Sequence, residues 1–374
     1  MLKIVITGGH HTPALSVIEA LKLFSKKLSR NLSFFWIGHK YSMWADANTS
    51  AEYKEVTALG IPFFDLSAGK FHKTYHPLKL IRIPLGFLQA FIYLLKIRPD
   101  MVISFGGYLA VPVVFSAWLL RITIVTHEQT TVAGIASLFI SKFARKIFIS
   151  FASSSKFFPK DKICLVGNPL RSEIFADRGL FCFADERKTL YITGGKQGSH
   201  KVNSFVEKNI ILFLSSYNVI HQCGSSSVYN DFDSLLKLRE NLSPELRERY
   251  LVKDFFTSEE IGSAFARADI VISRAGANAV YEIGALGKVS LLIPISWSSR
   301  NEQELNARFL SSGGGAVLLE EKNLNEEKVF SILEDLSSNY QFYRKKASEF
   351  SKEFPLNGAE AIAEMIMALL DNRG

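Results

Sequence analysis

A chain of 374 residues is long for one hydrophobic core and comfortable for two domains of ordinary size. Its 48% hydrophobic and 21% charged content excludes a disordered chain, and no apolar run reaches the roughly 20 residues of a membrane-spanning helix. The net charge of +8 asks for an anionic partner; without zinc spacing, an RNP-like aromatic run or a basic tail, that partner is not nucleic acid, which leaves anionic lipid and pyrophosphate. The start, MLKIVITGG, has neither the basic nor the long apolar region of a signal peptide, so a cytoplasmic protein is expected. Cys164, Cys182 and Cys223 are too widely spaced for a disulfide framework or a zinc site and read as small packing residues.

From the N-terminus, LKIVIT, LSFFWIG, MVISF, ITIVTHE, KIFISF and ICLVG read as strands separated by helix-period stretches, the alternation of a parallel, doubly wound sheet. The first strand runs into Thr7-Gly8-Gly9-His10-His11-Thr12-Pro13. Glycines there let a backbone approach a ligand, and Thr12 and Pro13 suit the N-cap and first position of a helix whose free N–H groups attract an anion. An ordinary tight turn would use the same glycines. Further on, Ile81, Leu85, Leu88, Ile92 and Leu95 form a helical stripe suited to the core, while Leu80, Phe87, Phe91 and Leu94 lie off it. Lys70, Lys73, Lys79 and Arg82, with His72 and His76, gather at the N-terminal end of that segment. Basic residues beside exposed apolar ones compose an interfacial anchor, against the alternative of full burial.

A polar stretch at Arg171–Arg187 precedes a second series of strands, TLYIT, YNVIHQCG, LVKDFF, IVIS, SLLIP and AVLLE. TLYIT leads into Gly194-Gly195-Lys196-Gln197-Gly198, where Lys196 is either a point charge for phosphate or a solvated loop lysine. IVIS leads into Arg274-Ala275-Gly276-Ala277-Asn278-Ala279-Val280-Tyr281-Glu282. A carboxylate in the second turn of that helix can accept both hydroxyls of a ribose, or can merely decorate the positive helix end. Gln303 and Asn306 share the face of the next helix and are of the kind that recognise sugar hydroxyls. Asp231-Phe232-Asp233 resembles a manganese-binding Asp-x-Asp but reads as an N-cap and surface feature. The expected fold is therefore α/β, two Rossmann-like domains with parallel sheets facing a cleft, the GT-B architecture. The expected boundaries are 1–170, 171–345, and a helical tail 346–374 returning to the N-terminal domain.

The ordered motifs TGGHHTPAL, SFGGYLAVP, THEQTTVAG, VGNPLR, GGKQG, DIVISRAGANAVYEIGALG and QELNARFL resemble the MurG family of glycosyltransferases over nearly the whole chain. The first loop departs from the family's GGTGGH, with Val5-Ile6 in place of the leading glycines. Thr130 stands where the family has Asn, and Lys196 where it has Ser.

The resemblance implies transfer of N-acetylglucosamine from UDP-N-acetylglucosamine to undecaprenyl-pyrophosphoryl-muramyl-pentapeptide, without cofactor or metal. It would occur at the cytoplasmic face of the cell membrane, with other cell-wall synthesis proteins as potential partners. It places the donor on Arg274, Gly276, Ala277, Asn278, Ala279, Val280, Tyr281 and Glu282, with Phe256 beside the uracil and Gln303 on the sugar. Thr7, Gly8, Gly9, Thr130, Arg171 and Lys196 lie near the donor as well. It places the acceptor on His10, Tyr108 and Glu128, and a membrane patch on Lys70, Lys73, Lys79, Arg82 and Phe87. An α-linked donor and β-linked product mean inversion, so the attacking hydroxyl needs a base. His10, at the family's spacing from Pro13, is the first candidate and Glu128 the second; His10 could instead only bind the loop or the acceptor pyrophosphate. Two alternatives remain: a GT-B enzyme for another lipid acceptor, and a catalytically weak binding or scaffold member of a cell-wall assembly complex.

Overall fold

Strand β1 (Leu2–Thr7) is buried on both faces over Ile4–Thr7, as a central strand of a parallel sheet must be. In the computed structural model, which describes residues 1–41, 49–67, 77–226 and 228–371, β1 is followed by α1 (His11–Lys27), β2 (Leu32–Gly38), α2 (Ala51–Ala58), β3 (Phe63–Asp65) and α3 (Pro77–Ile97). Then come β4 (Met101–Ser104), α4 (Ala110–Leu119), β5 (Thr123–Glu128), α5 (Ile135–Ile140), β6 (Lys146–Ile149) and β7 (Ile163–Leu165). The seven strands form one sheet in the order β3-β2-β1-β4-β5-β6-β7, parallel throughout. The order reverses between β1 and β4, so a crevice is expected at the carboxyl ends of those two strands. Short β3, entered through Pro62, lies at the sheet edge and has no counterpart among the strands legible in the sequence.

The second unit runs through β8 (Thr189–Thr193), α6 (His200–Ser216), β9 (Asn218–Gln222), α7 (Asp231–Glu240), α8 (Pro244–Glu248), β10 (Tyr250–Lys253) and α9 (Ser258–Arg267). It continues with β11 (Ile270–Ser273), α10 (Ala277–Ala285), β12 (Val289–Leu292), α11 (Glu302–Ser312), β13 (Ala316–Leu318), α12 (Glu326–Ser338) and α13 (Tyr340–Phe350). Its six parallel strands are ordered β10-β9-β8-β11-β12-β13, and the order reverses between β8 and β11. Helix α14 (Gly358–Asp371) then packs on α1 in the first unit's core through Ile362, Ala363, Ile366, Met367 and Leu370.

The chain changes unit after Arg171 and again after Pro355, which moves the second crossing from the expected residue 346 to 356. Packing explains the shift. A Cβ on Gly315 would lie 2.5 Å from that of Ala347, and Phe354 covers Gly284 so closely that an added Cβ would meet its ring at 2.2 Å. Residues 346–355 are thus moulded to glycines of the second unit.

Helix α3 is rotated relative to the sequence expectation. Ala90, Leu94 and Ile97 are its buried side, whereas Leu85, Leu88, Ile92 and Leu95 are 39–55% exposed. Polar anchors set this rotation. Gln89 accepts from the Ser67 amide (2.9 Å) and the Tyr93 hydroxyl donates to the Asp65 carbonyl (2.9 Å), while small Ala90 faces the core. Phe87, expected at a membrane, is half-buried with its ring edge-on to Phe115 at 5.6 Å. Lys70 and Lys73 lie outside the described residues; Lys79 and Arg82 fall on α3. Cys223 is buried and Cys164 half-buried, but Cys182 is exposed and does not pack as the sequence reading expected.

Candidate active site

At the first switch point, the loops after β1 and β4 interlock. Gly8 (φ +140°) leaves no room for a side chain, since a Cβ would sit 2.8 Å from the Phe105 carbonyl carbon. The Gly9 amide donates to the Gly106 carbonyl at 3.2 Å. Helix α1 starts at His11 rather than after Thr12, so His10 occupies the N-cap position and its side chain caps nothing. His10 is half-buried. Burial, then the charge of His11, lowers its pKa from 6.5 to about 4, so the imidazole is neutral at pH 7, though a weaker base than an ordinary histidine. His11 instead pairs with Glu55 of α2 at 3.3 Å.

Behind this loop, buried His127 on β5 meets Ser150 Oγ (3.1 Å) and the Gly167 carbonyl (3.3 Å) through Nε2. Burial first, with a contribution from His10, lowers its pKa to about 4, although the Gly167 bond opposes the shift. Thr7 Oγ1, His127 Nδ1 and Gln129 Oε1 are buried with no hydrogen-bond partner among the described residues. Such atoms are uncommon in a folded interior and suit a polar ligand.

Glu128 is differently employed. Its carboxylate accepts from the Thr130 amide (3.1 Å), the Thr130 hydroxyl (2.8 Å) and the amide of Gly134 (3.4 Å), the N-cap of α5. Burial raises its pKa, against hydrogen bonds from Ser137, Thr130 and Gly134. Glu128 therefore organises the loop that follows it. Thr130, expected near the donor, is buried and spends its hydroxyl on Glu128 and the Val132 carbonyl. Tyr108, half-buried after Gly107, has its phenol pKa raised by burial and by Glu52. Glu52 itself carried no motif in the sequence. It is buried on α2, takes the Trp36 indole N–H at 2.7 Å, and is raised by burial to a pKa of about 7.

At the second switch point, the glycine loop after β8 closes on the loop after β9. A Cβ on Gly198 (φ +78°) would lie 1.9 Å from the Cys223 carbonyl oxygen, and one on Gly224 only 2.1 Å from Gly198. The helices α6 and α10 follow β8 and β11, which are neighbours in the sheet. Gly276 caps α10, and Asn278 and Ala279 are partly exposed there. Ala277 and Glu282 are buried in the first two turns, with 5% and 9% exposure. Val280 and Tyr281 turn inward instead: both are fully buried, and the Tyr281 hydroxyl donates to the Pro355 carbonyl at 2.9 Å. Gln303 accepts from the Ile295 amide at 3.2 Å, while buried Asn306 donates to the Ala275 carbonyl at 3.3 Å, so only Gln303 of that pair reaches the surface.

Two donor expectations change here. The Phe256 ring is buried against Phe181 and Tyr191, with centroids at 5.3 and 6.0 Å, and offers no face to a base. Its neighbour Phe255 is half-exposed, with the Lys196 ammonium 5.6 Å from its ring centroid. Arg274 is buried and bonded to Ser199, Ile293 and Glu321 rather than open to a phosphate. Arg171 is the half-buried last residue of the first unit's main segment. Asp231 opens α7 after the N-cap Asn230, its carboxylate taken by His200 and Asn203, each at 2.7 Å.

Residues 4–149 match the glycosyltransferase family 28 N-terminal domain and residues 189–363 the family 28 C-terminal domain. With a doubly wound parallel sheet in each unit, these domains define a glycosyltransferase of the GT-B class. A UDP-N-acetylglucosamine--N-acetylmuramyl-(pentapeptide) pyrophosphoryl-undecaprenol N-acetylglucosamine transferase of Clostridium botulinum is 34% identical, over 98% of this chain and 99% of its own. The Bacillus cereus transferase 2 of that name is 32% identical over 98% of each chain. The crystal structure of Acinetobacter baumannii MurG has the same fold, with a TM-score of 0.70 at 23% identity, covering 98% of this chain and all of that one. The chain belongs to the MurG family of glycosyltransferases.

Proposed function

We propose that this protein moves N-acetylglucosamine from UDP-N-acetylglucosamine to the 4-hydroxyl of the muramyl sugar in undecaprenyl-pyrophosphoryl-N-acetylmuramyl-pentapeptide, the lipid I to lipid II step of peptidoglycan synthesis. The observation that carries this reading is end-to-end similarity, at 32–34% identity, to relatives named for that reaction. In this reading the second unit takes the nucleotide sugar, with its diphosphate at the N-termini of α6 and α10 and its ribose on Glu282. The first unit takes the acceptor around His10 and Tyr108.

Neutral His10 removes the proton of the attacking hydroxyl as its oxygen bonds to the anomeric carbon from the face opposite UDP. The carbon–oxygen bond to UDP breaks with inversion through an oxocarbenium-like transition state. The charge growing on UDP meets the backbone N–H groups of the helix N-termini and the Lys196 ammonium. Among the described residues no helix is long and apolar enough to cross a membrane. Docking at the cytoplasmic face through the exposed stripe of α3 and the basic residues at its N-terminal end accords with a lipid-linked acceptor.

Incubation with labelled UDP-N-acetylglucosamine and a short-chain lipid I analogue should yield a β-linked disaccharide product without added metal. No product, or product only with a different lipid acceptor, would refute the assignment. Glu282→Ala should weaken donor use about 10- to 150-fold, the worth of charge-assisted hydrogen bonds of about 1.5–3 kcal/mol. An unchanged donor KM in that variant would remove Glu282 from the site.

A further inference from the structure

The side chain of Arg274 spans strand ends across the second sheet. Nε donates to Ser199 Oγ (2.9 Å), Nη1 to the Ile293 carbonyl (3.0 Å) and Nη2 to Glu321 Oε1 (2.5 Å). Ser199 is the N-cap residue of α6, Ile293 follows β12, and Glu321 lies just past β13. Arg274 itself directly follows β11, two residues before the cap of α10. One guanidinium therefore ties together the segments that follow β8, β11, β12 and β13, four consecutive strands of the sheet.

Glu321 is the second half of the brace. Its other oxygen accepts from Ser296 Oγ at 3.2 Å and pairs with Lys201, in the first turn of α6, at 3.3 Å. Both side chains are nearly inaccessible, at 8% for Arg274 and 6% for Glu321. Burial pulls the guanidinium pKa down while Glu321 holds it up. For Glu321, burial is outweighed by Arg274 and Lys201, which keep the carboxyl below its usual range.

We propose that Arg274 and Glu321 are positioning residues that set the spacing of the α6 and α10 N-termini, and through it the affinity for the diphosphate of a nucleoside diphosphate. The proposal rests on the donor reading above, and assigns to these two residues no contact with the ligand. A buried ion pair is a costly way to fill space, since apolar residues of similar volume often stabilise a fold as well. What the pair supplies here is direction: planar, five-donor geometry that apolar contacts cannot reproduce.

The test is the full chain carrying both Arg274→Met and Glu321→Met, which replaces the pair by apolar side chains without leaving one charge buried alone. Its thermal midpoint should stay near that of the unsubstituted protein. The Kd for UDP by calorimetry and the KM for UDP-N-acetylglucosamine should both rise at least tenfold, with kcat and the acceptor KM within about twofold of the parent. Unchanged UDP affinity, or a loss falling on the acceptor KM, would overturn the proposal. Should the double variant not fold, Glu321→Gln decides: it keeps the volume and one acceptor, so UDP should bind three- to tenfold more weakly, and parental affinity overturns the brace. If the unsubstituted protein itself fails to bind UDP, the donor reading fails and the brace falls with it.

Discussion

His10 and Glu52 show how burial selects chemistry for single residues of the first unit. Burial and His11 hold His10 near a pKa of 4, so its neutral form persists well below the ordinary histidine range. In the free enzyme the acid limb of kcat/KM should accordingly lie nearer pH 4 than pH 6.5; a limb at 6.5 that vanishes in His10→Gln would contradict the environment described. His10→Ala should lower kcat about 10²- to 10⁴-fold, the usual worth of a general base. His11→Ala, which removes the partner of Glu55, should do far less, and equal losses would undo the assignment. Glu52 has the opposite sign. With a folded pKa of about 7 against 4.5 unfolded, the folded state holds a proton that the unfolded chain gives up. Its contribution is therefore complete below pH 4.5 and erodes as pH rises to about 7. A shift of this size corresponds to roughly 3 kcal/mol at most. Glu52→Gln keeps an acceptor for the Trp36 indole and should raise the unfolding midpoint at pH 8 but scarcely at pH 4.5. A uniform effect at both would show that Glu52 is not protonated in the fold.

At the scale of elements, α3 offers two apolar stripes of helical period, and periodicity alone does not rank them. The tie is broken by Gln89 and Tyr93, whose bonds to the chain at 65–67 turn Ala90, Leu94 and Ile97 inward. Leu85, Leu88, Ile92 and Leu95 are left to solvent, and Trp118, linked to Phe87 through Phe115, is 48% exposed on neighbouring α4. An exposed apolar face of this kind binds interfaces rather than water. Replacing Leu85, Leu88 and Ile92 by Ser should abolish binding to anionic vesicles with little change in thermal midpoint. Lys70, Lys73, Lys79 and Arg82→Ser should weaken it by charge alone, an effect raised salt should mimic. Turnover of a short-chain soluble acceptor should stay nearly normal in both variants. Vesicle binding that survives replacement of Leu85, Leu88 and Ile92 would exclude α3 as the anchor.

At the scale of the molecule, the chain leaves its first unit at Arg171 and returns to it at Leu356. Ile362, Ile366, Met367 and Leu370 of α14 are buried in that unit's core. At about 1.5–3 kcal/mol per buried side chain, they contribute roughly 6–12 kcal/mol, comparable to the whole stability of a domain. Residues 1–171 alone should therefore fail to fold, whereas residues 172–355 should unfold cooperatively and bind UDP. Cooperative unfolding of 1–171 would show that α14 is dispensable.

The β-rich runs, the glycine turns at their carboxyl ends and the ordered motifs made the two parallel sheets and the family legible in the sequence. Those features are local: period, turn chemistry and motif spacing are properties of neighbouring residues. The tertiary structure alone decided what faces what. It placed the side chains of Phe256, Val280 and Tyr281 inside, gave Arg274 to Glu321, gave Glu128 to its own loop, and turned α3 over. Each outcome depends on a partner from another element, as with Glu321, 47 residues from Arg274. A side chain's burial and its hydrogen-bond partners are set by packing between such elements, which no local pattern encodes.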